Sequence, residues 1–239
     1  MDNYQQFMAA YNAINKLLIK LYNLDPKSTF GNAIYASKKH NRVISYYFDE
    51  LQQFLELRNV LVHKTMHDQK EYVLAQPTDE VVKRITNIYN TLLQPKTIGT
   101  LFQKKVVCFD ATSTLADVLH AIKRNKHSQF PIFENNQLIG LLTENGITNW
   151  LADHVDDDVF VLSKTSIKEV VLVEENKDDY IIVKDTMSVY DAESLFYERF
   201  KTNNKVLTLI ISTKDKPTSS NQLVGIVTAW DLPDLRRSL

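Results

Sequence analysis

Two short groups of polar residues have the side-chain types and the spacing for chemistry on a phosphate-containing molecule. In the first group, Arg58, Asn59 and His63 fall within one predicted helix. An imidazole can activate a hydroxyl group, and a guanidinium can stabilise charge on a phosphate. In the second group, Thr228 and Asp231 follow an apolar run. A threonine hydroxyl can donate to a phosphate, and a carboxylate can accept hydrogen bonds from both hydroxyls of a ribose.

Arg58 falls in a row of residues that are otherwise apolar and therefore suited to a helix core. The row has spacings of three and four residues and consists of Ile44, Phe48, Leu51, Leu55, Arg58 and Val62. A polar ridge with the same spacing runs beside it and consists of Gln52, Glu56, Asn59 and His63. Because an unpaired buried arginine is strongly destabilising, Arg58 needs a partner. Glu50, Glu56, a ligand or a second subunit can supply one.

Composition excludes several classes of protein. The 239 residues contain 28 Lys and Arg against 29 Asp and Glu, so the near-neutral chain is not a bulk electrostatic DNA binder. Five glycines leave little material for a glycine-rich phosphate loop. One cysteine, Cys108, rules out an internal disulfide and a zinc site built from several cysteines. We expect a cytoplasmic protein with no membrane span, no metal site and no catalytic cofactor.

The first 95 residues have the apolar periodicity of helices. We predict helices over 2–24, about 28–40, about 41–64, and from Pro77-Thr78-Asp79 to Pro95. Asp25-Pro26 ends the first helix, since the residue before a proline avoids helical geometry. The sequence therefore predicts a small four-helix bundle as a domain over residues 1–95.

Residues 96–239 contain an internal repeat. GLLTENG at 140–146 matches GIVTAWD at 225–231, and TLAD at 114–117 matches SVYD at 188–191. Each half also carries two short apolar runs, which are Phe130–Phe133 with Leu138–Leu142, and Val206–Ile211 with Leu223–Val227. Each half is thus predicted to fold as β–α–β–β–α, over 96–160 and 161–239. The predicted fold class is α+β.

This repeat resembles a tandem pair of CBS domains, a module that binds adenine nucleotides and related ligands. The most specific match is the motif Gly, two apolar residues, Thr, two variable residues and Asp at 225–231. The first repeat has Gly146 where the motif has Asp. The resemblance therefore implies one good site, with AMP, ADP, ATP, a cyclic dinucleotide or S-adenosylmethionine as ligand. It implies a set of ligand-binding residues, which are Ile226, Thr228, Asp231, Thr100, His127, Ser128 and Gln129.

Residues 58–63, RNVLVH, resemble the Arg-polar-x-x-x-His motif of the HEPN family, a four-helix module that dimerises. Active members cleave RNA without metal, so the resemblance implies Arg58, Asn59 and His63 as catalytic residues if the chain is an endoribonuclease. Five residues turn a helix by about 140°, so Arg58 and His63 of one helix scarcely converge. The motif makes best sense in a homodimer, whose groove receives residues from both subunits.

Three functional hypotheses follow. In the first, a CBS pair senses an adenine nucleotide and controls a dimeric HEPN-like domain. In the second, that domain is a nucleotide-gated ribonuclease with RNA as its partner, and in the third it is an adaptor that binds a protein. Simple structural roles are alternatives, since Thr228 and Asp231 can cap a helix, Arg58 can pair locally and His63 can cap a helix end.

Overall fold

The helices of the first part of the chain form where apolar residues recur every three or four positions. A computed structural model describes residues 1–62, 65–67, 70–72, 75–156, 161–173, 180–203 and 207–239. The first helix, α1 (Asn3–Leu21), begins at Asp2, whose carboxylate accepts a hydrogen bond from the Gln5 amide at 2.8 Å. The buried face of α1 consists of Phe7, Ala10, Tyr11, Ile14 and Leu18.

Four more helices follow in this unit, which spans Met1–Lys96. They are α2 (Phe30–Ser37), α3 (Arg42–Tyr46), α4 (Phe48–Val62) and α5 (Asp79–Leu93). Side chains of Thr29, Asn41 and Thr78 cap α2, α3 and α5. Between α4 and α5, β1 (Thr65–His67) and β2 (Lys70–Tyr72) pair antiparallel, where the sequence predicted no strand.

The predicted third helix over 41–64 is wrong as a single element, because α3 and α4 are separate. Tyr47 lies between them with φ −93° and ψ 13°, outside helical geometry. Its ring is buried, and the Arg84 guanidinium of α5 lies over it, 5.2 Å from the ring centre. The described part of the unit therefore has five helices rather than the predicted four.

The second unit, Thr97–Leu239, contains two copies of one arrangement. The first copy consists of α6 (Ile98–Leu101), β3 (Phe109–Asp110), α7 (Leu115–Asn125), β4 (Gln129–Glu134), β5 (Gln137–Thr143) and α8 (Glu144–Asp153). The second consists of α9 (Ile167–Val173), β6 (Tyr180–Lys184), α10 (Val189–Asn203), β7 (Thr208–Ser212), β8 (Leu223–Val227) and α11 (Leu232–Ser238). Both contain the predicted order β–α–β–β–α, and the chain has the mixed α+β character expected.

Each copy contains one three-stranded sheet, and the corresponding strands β4 and β7 lie in the middle. The orders are β3-β4-β5 and β6-β7-β8, with the first pair parallel and the second antiparallel. The hairpin between β4 and β5 turns at Asn135 and Asn136, whose φ values are 48° and 60°. Asparagine tolerates this left-handed region, which a two-residue hairpin of this type requires.

The short helices α6 and α9 each pack on the opposite repeat. The amide groups of Ile98 and Gly99 donate to Met187 O and Asp185 O at 2.9 and 3.0 Å. In the same way, the Ile167 amide donates to Ser113 O at 3.0 Å, and Leu115 donates to Thr165 O at 2.9 Å. The opening segments of the two repeats are thus exchanged, and each repeat is completed by the other.

Glycines make room for this exchange on β5 and β8. A Cβ at Gly225 would lie 2.2 Å from the carbonyl oxygen of Phe102, which follows α6. A Cβ at Gly140 would lie 2.7 Å from the Val171 side chain of α9. The glycine that opens each copy of the repeat motif therefore has a packing role.

Two apolar clusters stabilise the second unit. One fills the space between the first sheet and its helices and includes Leu115, Phe130, Leu142, Trp150 and Val170. The other joins the two repeats and consists of Phe133 and Leu141 with Ile210 and Leu223. Within the described part of the chain, no helix combines the length and the apolar character that spanning a bilayer requires.

Substitution of the two motif glycines by alanine tests this packing. Gly225→Ala meets backbone, which cannot move without shifting residues 102–107, so we expect a loss of about 3 kcal/mol in unfolding free energy. Gly140→Ala meets a side chain that can change rotamer, so we expect a loss of about 1 kcal/mol. Urea denaturation of the full chain measures both losses. Equal losses of unfolding free energy in the two variants would contradict the view that, of these two glycines, only Gly225 lies against backbone.

Candidate functional site

A cleft of about 260 Å³ opens in the second unit, lined by segments of both repeats. It has three walls, which are Lys104–Val107 ahead of β3, Lys126–Gln129 between α7 and β4, and the end of β8 with the turn that follows. The residues of that third wall are Ile226, Thr228, Trp230 and Asp231. Six of the seven ligand-binding residues predicted from the sequence line this cleft.

The first wall is held beside β8 by the close approach at Gly225. The Lys104 amide donates to Val224 O at 2.9 Å, so the chain runs along the edge of β8 before it enters β3. Val106 and Val107 add apolar surface, and both are partly buried. This wall depends on backbone contacts between the repeats rather than on a local turn.

The second wall begins where α7 ends. Lys126 adopts φ 56° and ψ 26°, the left-handed conformation that commonly ends a helix, and its amide donates to Ile122 O at 2.9 Å. Ser128 O accepts a hydrogen bond from the Glu144 amide at 3.1 Å. Gln129 opens β4, and its Oε1 accepts a hydrogen bond from the Thr208 hydroxyl at 3.1 Å. No described residue accepts a hydrogen bond from the Gln129 side-chain nitrogen, so it can donate to a ligand.

The third wall contains a reciprocal cap. The Asp231 Oδ2 atom accepts hydrogen bonds from the Thr228 amide at 2.8 Å and from the Thr228 hydroxyl at 3.0 Å. The Thr228 Oγ1 atom accepts one from the Trp230 amide at 3.3 Å. The capping role left open by the sequence is therefore present. No described residue donates to Asp231 Oδ1, so one carboxylate oxygen is left for another partner.

Related hydroxyl–carboxylate pairs begin two helices outside the cleft. Thr114 donates to Asp117 at the start of α7, through its amide at 2.9 Å and its hydroxyl at 2.7 Å. These hydrogen bonds lower the pKa of Asp117 below its ordinary value. Ser188 and Asp191 form the equivalent pair before α10, where the Ser188 hydroxyl donates at 2.5 Å. These caps confirm the predicted match between 114–117 and 188–191.

The first copy of the motif is built differently. The Thr143 hydroxyl accepts a hydrogen bond from the Gly146 amide at 3.0 Å, which caps α8. Gly146 is buried and has no side chain to complete a reciprocal cap or to accept from a ligand. Of the two copies of the motif, only the second therefore contains both a hydroxyl, on Thr228, and a carboxylate, on Asp231.

Thr100 lies away from the cleft lining. It belongs to α6, and its hydroxyl donates to Thr97 O at 2.9 Å. The segment that lines the cleft begins four residues later, at Lys104. Sequence reasoning missed six lining residues, which are Lys104, Lys105, Val106, Val107, Lys126 and Trp230. A lysine pair directly before the apolar run that opens the first strand was the pattern that could have indicated the first two.

Comparison with protein families gives one match. Residues 98–153 match the family model of the CBS domain. The chain therefore contains a CBS domain, which lies in the first of the two repeats. A search of curated proteins finds no match.

Several solved structures of CBS proteins are similar to part of this chain. A CBS domain protein of unknown function from Thermoplasma acidophilum is 19% identical, with a TM-score of 0.41, over 61% of this chain and 70% of that one. A putative acetoin utilization protein from Vibrio cholerae is 19% identical, with a TM-score of 0.43, over 60% and 91%. A CBS domain protein from Pyrobaculum aerophilum complexed with AMP is 16% identical, with a TM-score of 0.41, over 59% and 99%.

The candidate catalytic residues of the helical unit are only partly described. Arg58 is partly buried on α4, and its Nη1 donates to Asn59 Oδ1 at 3.3 Å. Glu50, one of the partners considered for Arg58, instead binds Arg84 at 2.7 Å. Burial raises the pKa of Tyr11 to about 12, and the nearby Arg58 charge opposes the rise. His63 lies outside the described residues.

The row that contains Arg58 is buried along most of its length. Ile44, Phe48 and Leu51 are buried and Leu55 is partly buried, as predicted, but Val62 is exposed at the end of α4. Phe54, which the row did not include, is buried against Phe7 with ring centres 6.0 Å apart. The polar ridge of Gln52, Glu56 and Asn59 is exposed.

The contacts that the structure describes for Cys108 are packing contacts and one long hydrogen bond to Val106 O. It is partly buried and packs against the apolar cluster that joins the two repeats. Burial raises the pKa of its thiol to about 11, so the reactive thiolate is scarce at neutral pH.

Proposed function

We propose that the second unit is a regulatory module that binds an adenine nucleotide in the cleft between its two repeats. The observation that supports this proposal most is the convergence of His127, Ser128 and Gln129 on Thr228 and Asp231. The volume of about 260 Å³ is near the lower end of small-molecule sites, which begins at about 300 Å³. Hydroxyl and amide donors, a carboxylate oxygen and apolar walls together suit a phosphorylated nucleoside.

Trp230 favours an aromatic base as part of the ligand. Its side chain is 91% exposed, although it lines the cleft. An exposed indole face beside the cleft can stack on a base, and base stacking on an aromatic ring contributes about 1–3 kcal/mol. The choice of adenine among the bases depends on the CBS match of residues 98–153.

Asp231 is the residue whose role in binding can be separated from its role in the cap. In this proposal its free oxygen accepts ribose hydroxyls, so we expect Asp231→Ala to weaken adenine-nucleotide affinity about 10- to 100-fold. Asp117→Ala is the matched control, because it removes the same kind of cap outside the cleft. Isothermal titration of the full chain measures both variants. Unchanged affinity in Asp231→Ala, or an equal loss in both variants, would contradict ribose binding by Asp231.

We also propose that the bound nucleotide controls the helical unit, which acts as a homodimer. The Nε atom of Arg58 is buried and has no hydrogen-bond partner among the residues that the structure describes. Since a buried guanidinium nitrogen without an acceptor is unfavourable, a second subunit is a suitable source of one. Cleavage of RNA by Arg58, Asn59 and His63, and binding of a protein partner, stay predictions.

Sedimentation equilibrium of the full chain tests the role of Arg58 in the dimer. We expect a dimer for the unaltered chain and at least a tenfold weaker dimer for Arg58→Met, which keeps an apolar stem but removes the charge. Lys83→Met is the control, because Lys83 is an exposed cation of the same unit. A monomeric unaltered chain would contradict the homodimer. Equal dimerisation of Arg58→Met and the unaltered chain would show that Arg58 makes no such contact.

A further inference from the structure

The charges that line the cleft point to the kind of nucleotide it takes. Lys104, Lys105 and Lys126 line it, and Asp231 is the one acidic side chain among the lining residues. One oxygen of that carboxylate is already used by the cap with Thr228. The lining therefore carries an excess of positive charge in a chain whose net charge is −1.

The three lysines are exposed, and no carboxylate of the described residues neutralises them. Within the described residues, none of them has an ammonium nitrogen within 4.0 Å of an Asp or Glu oxygen. Lysines elsewhere in the second unit do form such pairs, for example Lys168 with Glu134 at 2.6 Å. Unpaired cations gathered in one cleft attract an anion, and the attraction increases with the charge of that anion.

Backbone hydrogen bonds fix the main-chain positions of two of these lysines. Lys104 is held by its hydrogen bond to Val224, and Lys126 by its hydrogen bond to Ile122 and its left-handed conformation. Lys104 and Lys105 belong to one wall and Lys126 to another, so cations approach the cleft from two sides. A chain of phosphates can contact both sides, whereas a single phosphate presents less charge and less length.

We infer that the cleft is selective for a nucleoside polyphosphate over the monophosphate, with the phosphate chain bound by Lys104, Lys105 and Lys126. This inference rests on the proposed function of the same cleft and adds the class of ligand. ATP and ADP are then the ligands, and AMP is a weak competitor. The selectivity comes from charge, so it decreases as salt increases.

Isothermal titration of the full chain with AMP, ADP and ATP tests the inference. We expect ATP to bind at least tenfold more tightly than AMP at low salt, with ADP between them. Lys104→Gln and Lys126→Gln should each lower ATP affinity about two- to fivefold and AMP affinity less, since an exposed charge pair contributes modestly. Lys123→Gln is the control, because Lys123 is an exposed lysine of α7 that does not line the cleft.

The outcomes separate the inference from the proposed function. Equal affinity for the three nucleotides, or tighter binding of AMP, overturns polyphosphate selectivity and leaves nucleotide binding standing. Equal losses of AMP and ATP affinity in Lys104→Gln and Lys126→Gln also overturn it. Absence of binding by all three nucleotides overturns the proposed function itself.

Discussion

The cleft depends on one close approach of backbone to backbone, where the Phe102 carbonyl lies against Gly225. A Cβ at this position would be 2.2 Å from that oxygen, so only glycine allows the contact. The approach lets the following residues run beside β8, where the Lys104 amide donates to Val224 O. The wall of the cleft that carries two lysines, and the path of the chain into β3, depend on it.

The two repeats share a fold but differ in what their motifs can do. Both use a threonine to cap the element that follows the last strand, and both carry within that strand a glycine that admits the opposite repeat. Only the second has a carboxylate, at Asp231, where the first has Gly146. The Asp231 carboxylate also contributes to the fold, because it completes a cap with Thr228. The residue proposed to bind the ribose therefore also has a structural role.

The sequence predicted the local structure of the repeats better than their packing. The helix starts at Thr114 and Ser188, and the order of elements along each repeat, depend on neighbouring residues and could be predicted. The exchange of α6 and α9 could not, because it depends on contacts between residues 50 or more positions apart. In the helical unit, the separation of α3 from α4 at Tyr47 arises in the same way, from a ring buried against Arg84.

The candidate site shows the same division between local and long-range information. Thr228 and Asp231 could be found from the sequence, because their spacing of three residues is typical of a helix cap. Lys126 could not, because it stands within no motif, and its place in one cleft with Lys104 depends on the exchange of opening segments. Trp230 occupies a variable position of the motif, and only its exposure beside the cleft indicates a role.

Amide hydrogen exchange of the full chain, with and without saturating ATP, tests most directly whether nucleotide binds between the repeats. The account predicts slower exchange in the three walls of the cleft, which are residues 104–107, 126–129 and 226–231. These segments come from both repeats, so protection of all three together identifies the cleft as the site. Protection confined to other segments, or exchange unchanged throughout the chain, would contradict it.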